Sequence, residues 1–273
     1  MIFLVDSEIR GNEPIMEKVL HRLVSKHIAG TTMSSALERA KLISDDGIGT
    51  SIMFLSGAAM EKPKAAYATT TYLELMRRIA RLGIGASVHV RMEQIGLNID
   101  DAAAIANMKK INAMALKSRV FVWADAQAAS RQVIKELASM KMGIACSLDD
   151  AELFSNSHNG GFRRLKILIG EESRKDKELA KRIGSLTKEM DMPVISSPSD
   201  ELLYKLAKSG KNERNLILEF RLGYSKRRLR KAQKRKARVS VLVPFGKDWV
   251  NYAMGNAPEG YMKFFAKRLF HEE

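Results

Sequence analysis

The sequence predicts an α/β protein, a (β/α)8 barrel of the TIM type with amino-terminal helices and a carboxy-terminal helix. Eight apolar segments rich in β-forming residues occur in order along the chain, and a segment with helical periodicity follows each of them. Strands this apolar are typical of a parallel sheet that is buried on both faces. The eight units occupy roughly 220 residues, which agrees with the usual size of a closed barrel.

The predicted strands share a content of β-branched and large apolar residues. They are Thr50–Leu55, Ile84–Met92, Arg119–Asp125, Met142–Ser147, Leu165–Ile169, Met192–Ser196, Asn215–Phe220 and Val239–Val243. A doubly wound open sheet is the alternative. That fold usually has fewer strands and often a glycine-rich phosphate loop after the first one, and no Gly-x-Gly-x-x-Gly occurs in this sequence.

The helices are predicted from apolar residues spaced by threes and fours. Ile15–Ile28 is the first, with Pro14 in its first turn, where a missing N–H costs little. Thr31 and Thr32 then offer an amino-terminal cap for a helix that runs to about Asp45. The remaining helices are Thr71–Leu82, Asp100–Leu116, Gln127–Met140, Lys175–Met190, Ser199–Ser209 and a tail from Trp249 to Phe270.

The composition narrows the class of protein. The 273 residues are 45% hydrophobic, which excludes disorder as the dominant state, and Cys146 is the only cysteine, which excludes a disulfide framework. No apolar run approaches the ~18 residues of a membrane-spanning helix, and the amino terminus does not resemble a secretory signal. We expect a single domain over residues 1–273, located in the cytoplasm, either free or peripheral to the inner face of the membrane.

The net charge of +15 comes largely from one segment. Nine of the thirteen residues from Lys226 to Arg238 are basic and none is acidic, and the spacing permits a helix with Leu229 and Ala232 on one side. The segment is either a solvated helix face or a contact surface for anionic lipid or nucleic acid. Because it contains no aromatic residue and no nucleic-acid-binding motif, we do not expect nucleic acid as the partner. An anionic membrane surface or an electron-acceptor partner is the expectation.

In barrels of this type the chemistry lies at the carboxyl ends of the strands. Asp125 ends the third predicted strand and is either a cap of the next helix or a site residue. His89 precedes Arg91 by two residues on the second strand, so their side chains face the same way, and His89 is either an interior residue or a base. The five histidines show no metal-ligand spacing with one another or with Cys146, so no metal is expected.

Several segments, in order, resemble proline dehydrogenase, a flavin-dependent family built on a (β/α)8 barrel. Val241–Met254 (VLVPFGKDWVNYAM) is similar to the last strand and helix of the family, and Lys267–Phe270 continues that similarity. Ser87–Asp100 (SVHVRMEQIGLNID) resembles the second-strand segment, and Glu219–Ser225 (EFRLGYS) the seventh. Residues 28–57 resemble the amino-terminal helix and first strand. The resemblance spans most of the chain, and it implies hydride transfer from L-proline or a related imino acid to FAD.

The resemblance also implies roles for individual residues. Asp125 matches the family aspartate after strand three, and Ala126 matches the flavin-contacting residue that follows it. Arg91 stands where the family has the substrate lysine, and Gly57 where it has the acidic partner of that lysine. The matches at the other positions of the family site are Ser147 for a flavin-contacting glutamine on strand four, Arg164 or Lys166 for the arginine beside the reactive nitrogen of the flavin, Pro198 and Ser199 near a Thr-His pair, Leu242 for a tyrosine, and Gly255 and Asn256 for two arginines that hold the substrate carboxylate.

These replacements change what the site is expected to do. Removing one partner of a buried charge pair costs ~2–5 kcal/mol, or about thirty-fold to several thousand-fold in binding. We therefore expect weak FAD binding and weak or absent oxidation of L-proline, with Arg91 as the anchor of whatever acid binds. An arginine without its acidic partner favours either a bound anion at Arg91 or a new local acid such as Glu93. The alternatives are a divergent relative without proline oxidation, with another substrate or as a binding scaffold, and a polyanion-binding protein.

Overall fold

The computed structural model describes residues 26–127, 129–155, 164–170, 178–208, 216–249 and 252. The strands within them are β1 Gly49–Phe54, β2 Ala86–Arg91, β3 Val122–Asp125, β4 Gly143–Cys146, β5 Leu165–Leu168, β6 Val194–Ser196, β7 Ile217–Arg221 and β8 Arg238–Phe245. The α-helices are α1 Met33–Asp45, α2 Lys62–Leu82, α3 Asp101–Ser118, α4 Arg131–Ala138, α5 Leu148–Ser155, α6 Leu179–Leu186, α7 Asp200–Lys208 and α8 Lys226–Lys234. Short 3-10 helices, Met92–Ile95 and Thr187–Glu189, follow β2 and α6.

The eight strands form a closed parallel barrel in sequence order. Each strand pairs with the next, and β8 pairs with β1 with Leu242 opposite Ser51. The predicted (β/α)8 fold is confirmed, and the strands begin and end within three residues of the predicted bounds.

Alternation along the strands separates two buried layers. Residues such as Ile52, Val88 and Phe220 belong to the large apolar core between the sheet and the helices. The intervening residues face the barrel axis, and several of them are polar and buried: Ser51, His89, Lys166, Ser196 and Glu219. The barrel interior is therefore unusually polar, whereas its outer layer is a conventional hydrophobic core.

The helix starts follow local capping chemistry. Thr32 caps α1 as predicted, because its Oγ1 accepts a hydrogen bond from the Ser35 backbone N–H at 3.2 Å. Helix α2 begins at Lys62, nine residues before the predicted start at Thr71. Its first half buries only small residues such as Ala65 and Ala68, so it lacks the large apolar periodicity from which a helix is recognised. Helix α1 packs against β1 and β8 and covers the point where the barrel closes.

Two predicted helices fall mainly outside the described residues. Ile15–Ile28 is described only at its last three residues, which form a turn, and the tail from Trp249 only at Trp249 and Tyr252, which are both helical. Trp249 packs with Met53, Leu55 and Leu242 at the end of β1 and β8. None of the helices in the described part of the chain combines the length and hydropathy needed to cross a membrane.

Candidate functional site

The carboxyl ends of β2, β3, β5 and β7 bring charged side chains together on the inner face of the barrel. The strand register aligns Arg91 with Asp125, Asp125 with Ala145, and Ala145 with Lys166. Asp125 and Lys166 therefore lie two strands apart, about 10 Å between Cα atoms at the usual strand spacing, with alanine between them. The sequence predicts Asp125 and Lys166 as site residues, and both face the barrel axis. The contacts of Lys166 with Ser51, Trp123 and Glu219 place it deeper in the barrel than Asp125, which lies two residues beyond Trp123 on β3.

The carboxylate of Asp125 forms hydrogen bonds with His89 and Gln127 and does not cap a helix. His89 Nε2 lies 3.2 Å from its Oδ2, and Gln127 donates to its Oδ1 from the backbone N at 3.3 Å and from Nε2 at 3.2 Å. Burial raises the pKa of Asp125, but the hydrogen bonds from His89 and Gln127 outweigh burial and hold the pKa below its ordinary value. Helix α4 is capped by Ser130 instead, so the interpretation of Asp125 as a helix cap is wrong.

His89 is an interior residue that contacts the site. It is buried, and its Nδ1 has no hydrogen-bond partner among the described residues. With Asp125 as a carboxylate acceptor, Nε2 is the nitrogen that carries the proton, and Nδ1 is left as an acceptor in the barrel interior. His89 therefore supports Asp125 as a carboxylate.

Arg91 ends β2 and forms an ion pair with Glu93 in the 3-10 helix that follows. The expectation of a local acidic partner is thus confirmed. Gly57, in the loop after β1, is exposed and supplies no charge. Both members of the Arg91–Glu93 pair are about one-third exposed, so solvent screens the interaction.

Lys166 lies fully buried in the centre of the barrel. Its Nζ is 2.8 Å from Glu219 Oε2, 3.2 Å from Ser51 Oγ and 5.0 Å from the centre of the Trp123 ring. Burial lowers the pKa of Lys166, and the Glu219 carboxylate opposes this effect. Lys166, rather than Arg164, is therefore the strand-five cation inside the barrel, and it lies deeper than Asp125.

Arg164 does not lie at the carboxyl edge, where the sequence resemblance predicts it. It precedes β5, with its guanidinium 5.7 Å from the centre of the Phe121 ring, and it lines a cavity of about 790 Å³ at the amino ends of the strands. That end of the barrel is opposite the edge that carries Asp125. The expected role beside a ligand at the carboxyl edge does not agree with this position.

The remaining predicted site residues divide into helix caps, buried backbone and undescribed positions. Ser147 Oγ accepts from the Asp150 N–H at 3.1 Å, and Ser199 Oγ accepts from the Leu202 N–H at 3.2 Å, so both hydroxyls stabilise helix starts.

Ala126 is buried and donates its N–H to Ala145 O at 2.9 Å. Pro198 lines a surface pocket of about 300 Å³ with Lys205 and Arg228. Gly255 and Asn256 lie outside the described residues.

Two further charged residues, Glu219 and Arg221, lie at the carboxyl end of β7, where the sequence predicts that they close the seventh strand. Glu219 is 1% exposed, and its Oε1 has no hydrogen-bond partner in the described structure. Arg221 is half-buried, and its Nε has none either. The alternation in ILEFR is the signal that places both side chains on the inner face.

The donor set at this edge is compatible with a planar anionic cofactor such as a flavin. An anion at Asp125 and a cation at Lys166 flank β4, and the inward-facing side chains at the ends of β4 and β6, Ala145 and Ser196, are small. A large ring system against a strand edge requires small side chains there. By contrast, no cluster of His, Cys, Asp and Glu suitable for a metal occurs among the residues that the structure describes.

Comparison with known proteins relates the fold, and only the fold, to one group of enzymes. No protein-family model matches the sequence, and no curated protein sequence matches it. Among solved structures, proline utilization A from Bdellovibrio bacteriovorus, inactivated by N-propargylglycine, is similar over 91% of this chain with a TM-score of 0.68 and 13% identity. Proline utilization A from Corynebacterium freiburgense is similar over 92% with a TM-score of 0.66 and 12% identity.

A third solved structure, proline utilization A with proline bound in remote sites, has 15% identity and a TM-score of 0.64 over 87% of this chain. The chain spans only about a third of the length of these proteins: 34%, 32% and 31% of the three. At this level of identity the resemblance is one of fold. The chain therefore has the barrel architecture found in proline utilization A proteins, with a charged layer of its own at the carboxyl edge.

Proposed function

We propose that this protein is a flavin-dependent oxidoreductase that oxidises a small imino acid related to L-proline. The observation that carries the proposal is the pair of opposite charges on either side of β4, with Asp125 at the carboxyl edge and Lys166 deeper in the barrel, both in register with Ala145. The fold of proline utilization A proteins supports it, and so do the sequence matches at Asp125, Ala126 and Ser147, which lie at or just beyond the ends of β3 and β4.

Bound FAD would accept the hydride from the carbon next to the ring nitrogen of the substrate. Asp125, held ionised by His89 and Gln127, would supply a fixed negative charge at the edge. Lys166 would supply the opposite charge from below, with Glu219 fixing its position. The charges are set before a ligand arrives, and such preorganised groups favour charge transfer in a water-poor site.

Reconstitution with FAD is the direct test. We expect a micromolar titration to change the absorbance and fluorescence of the flavin, and anaerobic addition of an imino acid to bleach the visible absorbance of the bound flavin. Asp125→Asn is expected to keep the fold and slow that bleaching. Ser130→Ala, which removes a hydroxyl that caps α4 and lies outside the charged layer, is the matched control. No flavin signal at tenfold higher FAD would exclude the flavoenzyme reading.

A second candidate function is binding to an anionic membrane surface through α8. The distribution of charge on α8 and the residues that follow it, to Arg238, supports this candidate. All nine basic side chains between Lys226 and Arg238 are exposed, whereas Leu229 and Ala232 are buried against the barrel. Arg228 lies 4.0 Å from Glu201, but Arg227, Arg230 and Lys234 form no ion pair with a described residue. A charge excess of this kind is relieved by an anionic partner.

Co-sedimentation with vesicles tests the second candidate. Each basic residue near an anionic surface contributes about 1 kcal/mol, so the triple variant Arg227→Gln/Arg230→Gln/Lys234→Gln should bind about a hundredfold more weakly. Lys64→Gln/Lys110→Gln/Lys117→Gln removes the same charge from exposed positions on α2 and α3 and should change binding far less. Binding that is indifferent to salt and to lipid charge, or that is seen with RNA alone, would count against this surface.

A further inference from the structure

Arg221 at the end of β7 is a half-buried guanidinium without an acidic partner in the described structure. Its inward direction follows from the strand alternation, since it is two residues beyond the buried, inward-facing Glu219. Its Nε is buried and has no hydrogen-bond partner there, and no carboxylate of a described residue lies within ion-pair distance. Desolvating a cation without compensation is costly, which indicates that an anion completes this position.

Two other described cations that face the barrel axis, Lys166 and Arg91, are already paired. Lys166 pairs with Glu219 at 2.8 Å, and Arg91 pairs with Glu93. The sequence alone favours Arg91 as the anchor for an acid, but a ligand at Arg91 would have to displace Glu93. Arg221 has no acidic partner in the described structure that a ligand would have to displace, so it is the better anchor for an anion that enters the barrel mouth.

The side of Arg221 that faces β8 is apolar. The strand register places Leu242 beside it, and Leu242 packs with Met53, Leu55 and Trp249. Tyr252 also lies near: burial raises the pKa of its phenol, and the charge of Arg221 opposes that increase. A planar cation beside an apolar wall suits a ligand that combines one carboxylate with a short apolar ring or chain.

We propose that Arg221 binds the carboxylate of the substrate and so selects small monocarboxylates with an apolar body. The inference rests on the proposed function for the identity of the substrate, but it concerns binding and does not require that the flavin be reduced. It gives the described chain its own carboxylate anchor, on β7 rather than on β2.

Calorimetric titration of the flavin-free protein tests the anchor. The probes are L-proline, L-prolinamide, which has the same ring without the carboxylate, and propionate, which has the carboxylate without the ring. The variants are Arg221→Gln, Arg221→Lys, Arg91→Gln as the competing anchor and, as the matched control, Arg81→Gln at an exposed position on α2. Thermal unfolding of each variant shows whether the fold is retained.

We expect the wild type to bind L-proline and propionate and to discriminate against L-prolinamide. Arg221→Gln should weaken carboxylate binding by at least about thirty-fold, as expected for loss of one partner of a buried charge pair. Arg221→Lys should recover part of this loss, because it restores the charge but not the planar fork. Arg81→Gln should stay within about threefold of the wild type, because its side chain is exposed near the end of α2 and does not face the barrel axis. Arg91→Gln should weaken binding less than Arg221→Gln, because Glu93 already pairs with Arg91.

Three results overturn the inference: equal binding by Arg221→Gln and the wild type, L-prolinamide binding as tightly as L-proline, or a wild type that binds neither carboxylate. Loss of binding in Arg91→Gln alone would return the anchor to β2. The proposed function is tested separately by flavin reduction. Carboxylate binding that depends on Arg221, without any reduction of the flavin, would support Arg221 as the anchor and would contradict the proposed oxidoreductase activity.

Discussion

Replacing Lys166 by methionine is expected to lower the free energy of unfolding by about 3–5 kcal/mol at neutral pH. The substitution removes the cation that lies 2.8 Å from Glu219 Oε2 and leaves a buried carboxylate without a counter-charge. Urea unfolding of wild type and variant measures the difference. Lys41→Met, which removes an exposed partner of Asp45, should change stability by less than about 1 kcal/mol.

A companion measurement separates charge from packing. The double variant Lys166→Met/Glu219→Leu should recover most of the lost stability, since an apolar pair of similar volume often replaces a buried ion pair. A single variant within about 1 kcal/mol of wild type would contradict a charged interior layer.

Replacing Gly246 by alanine is expected to cost about 3 kcal/mol or more, because the backbone there is accessible almost only to glycine. Gly246 has φ +139°, and a Cβ on it would overlap the carbonyl oxygen of Leu55. Backbone on both sides fixes this contact: the Leu55 N–H donates to Phe245 O at 2.6 Å and the Gly246 N–H to Gly30 O at 3.1 Å. The substitution would force β8 away from β1.

Gly57→Ala is the matched control, since a Cβ at Gly57 meets nothing within 4 Å and its backbone has no positive φ. Its effect on urea unfolding should stay within about 0.5 kcal/mol. If Gly246→Ala is equally mild, the close approach of β1 and β8 at the carboxyl edge is not a constraint on the fold. If it is severe but Gly57→Ala is also severe, the loop after β1 rather than the strand closure is responsible.

The barrel could be predicted from the sequence because parallel strands carry a strong local signal. The second halves of Gly49–Phe54 and Arg238–Phe245 are apolar, β-rich and buried on both faces. The start of α2 could not be predicted, because Ala65 and Ala68 bury a small surface that hydrophobic periodicity does not register. Pro63 in its first turn is the local feature that marks the true start.

Site residues could be predicted from the sequence only where a single strand determines the position of the side chain. Asp125 follows from its place at the end of β3. Alternation gives Arg164 and Lys166 the same direction, and Lys166 is the interior cation because β5 begins at Leu165, after Arg164. The pairing of Lys166 with Glu219 could not be predicted, because it joins residues 53 positions apart across the barrel. The expectation for Arg91 changed for a local reason, namely that Glu93 lies close enough to neutralise it.

The central claim is that the charged carboxyl edge of this barrel holds a flavin that an imino acid reduces. Anaerobic mixing of the FAD-loaded protein with L-proline and with related cyclic imino acids tests it most directly. The account predicts that the visible absorbance of bound flavin is lost, slowly with L-proline and faster with a better-fitting imino acid, and that Asp125→Asn slows the loss. Bound flavin whose absorbance none of these acids changes would contradict the account.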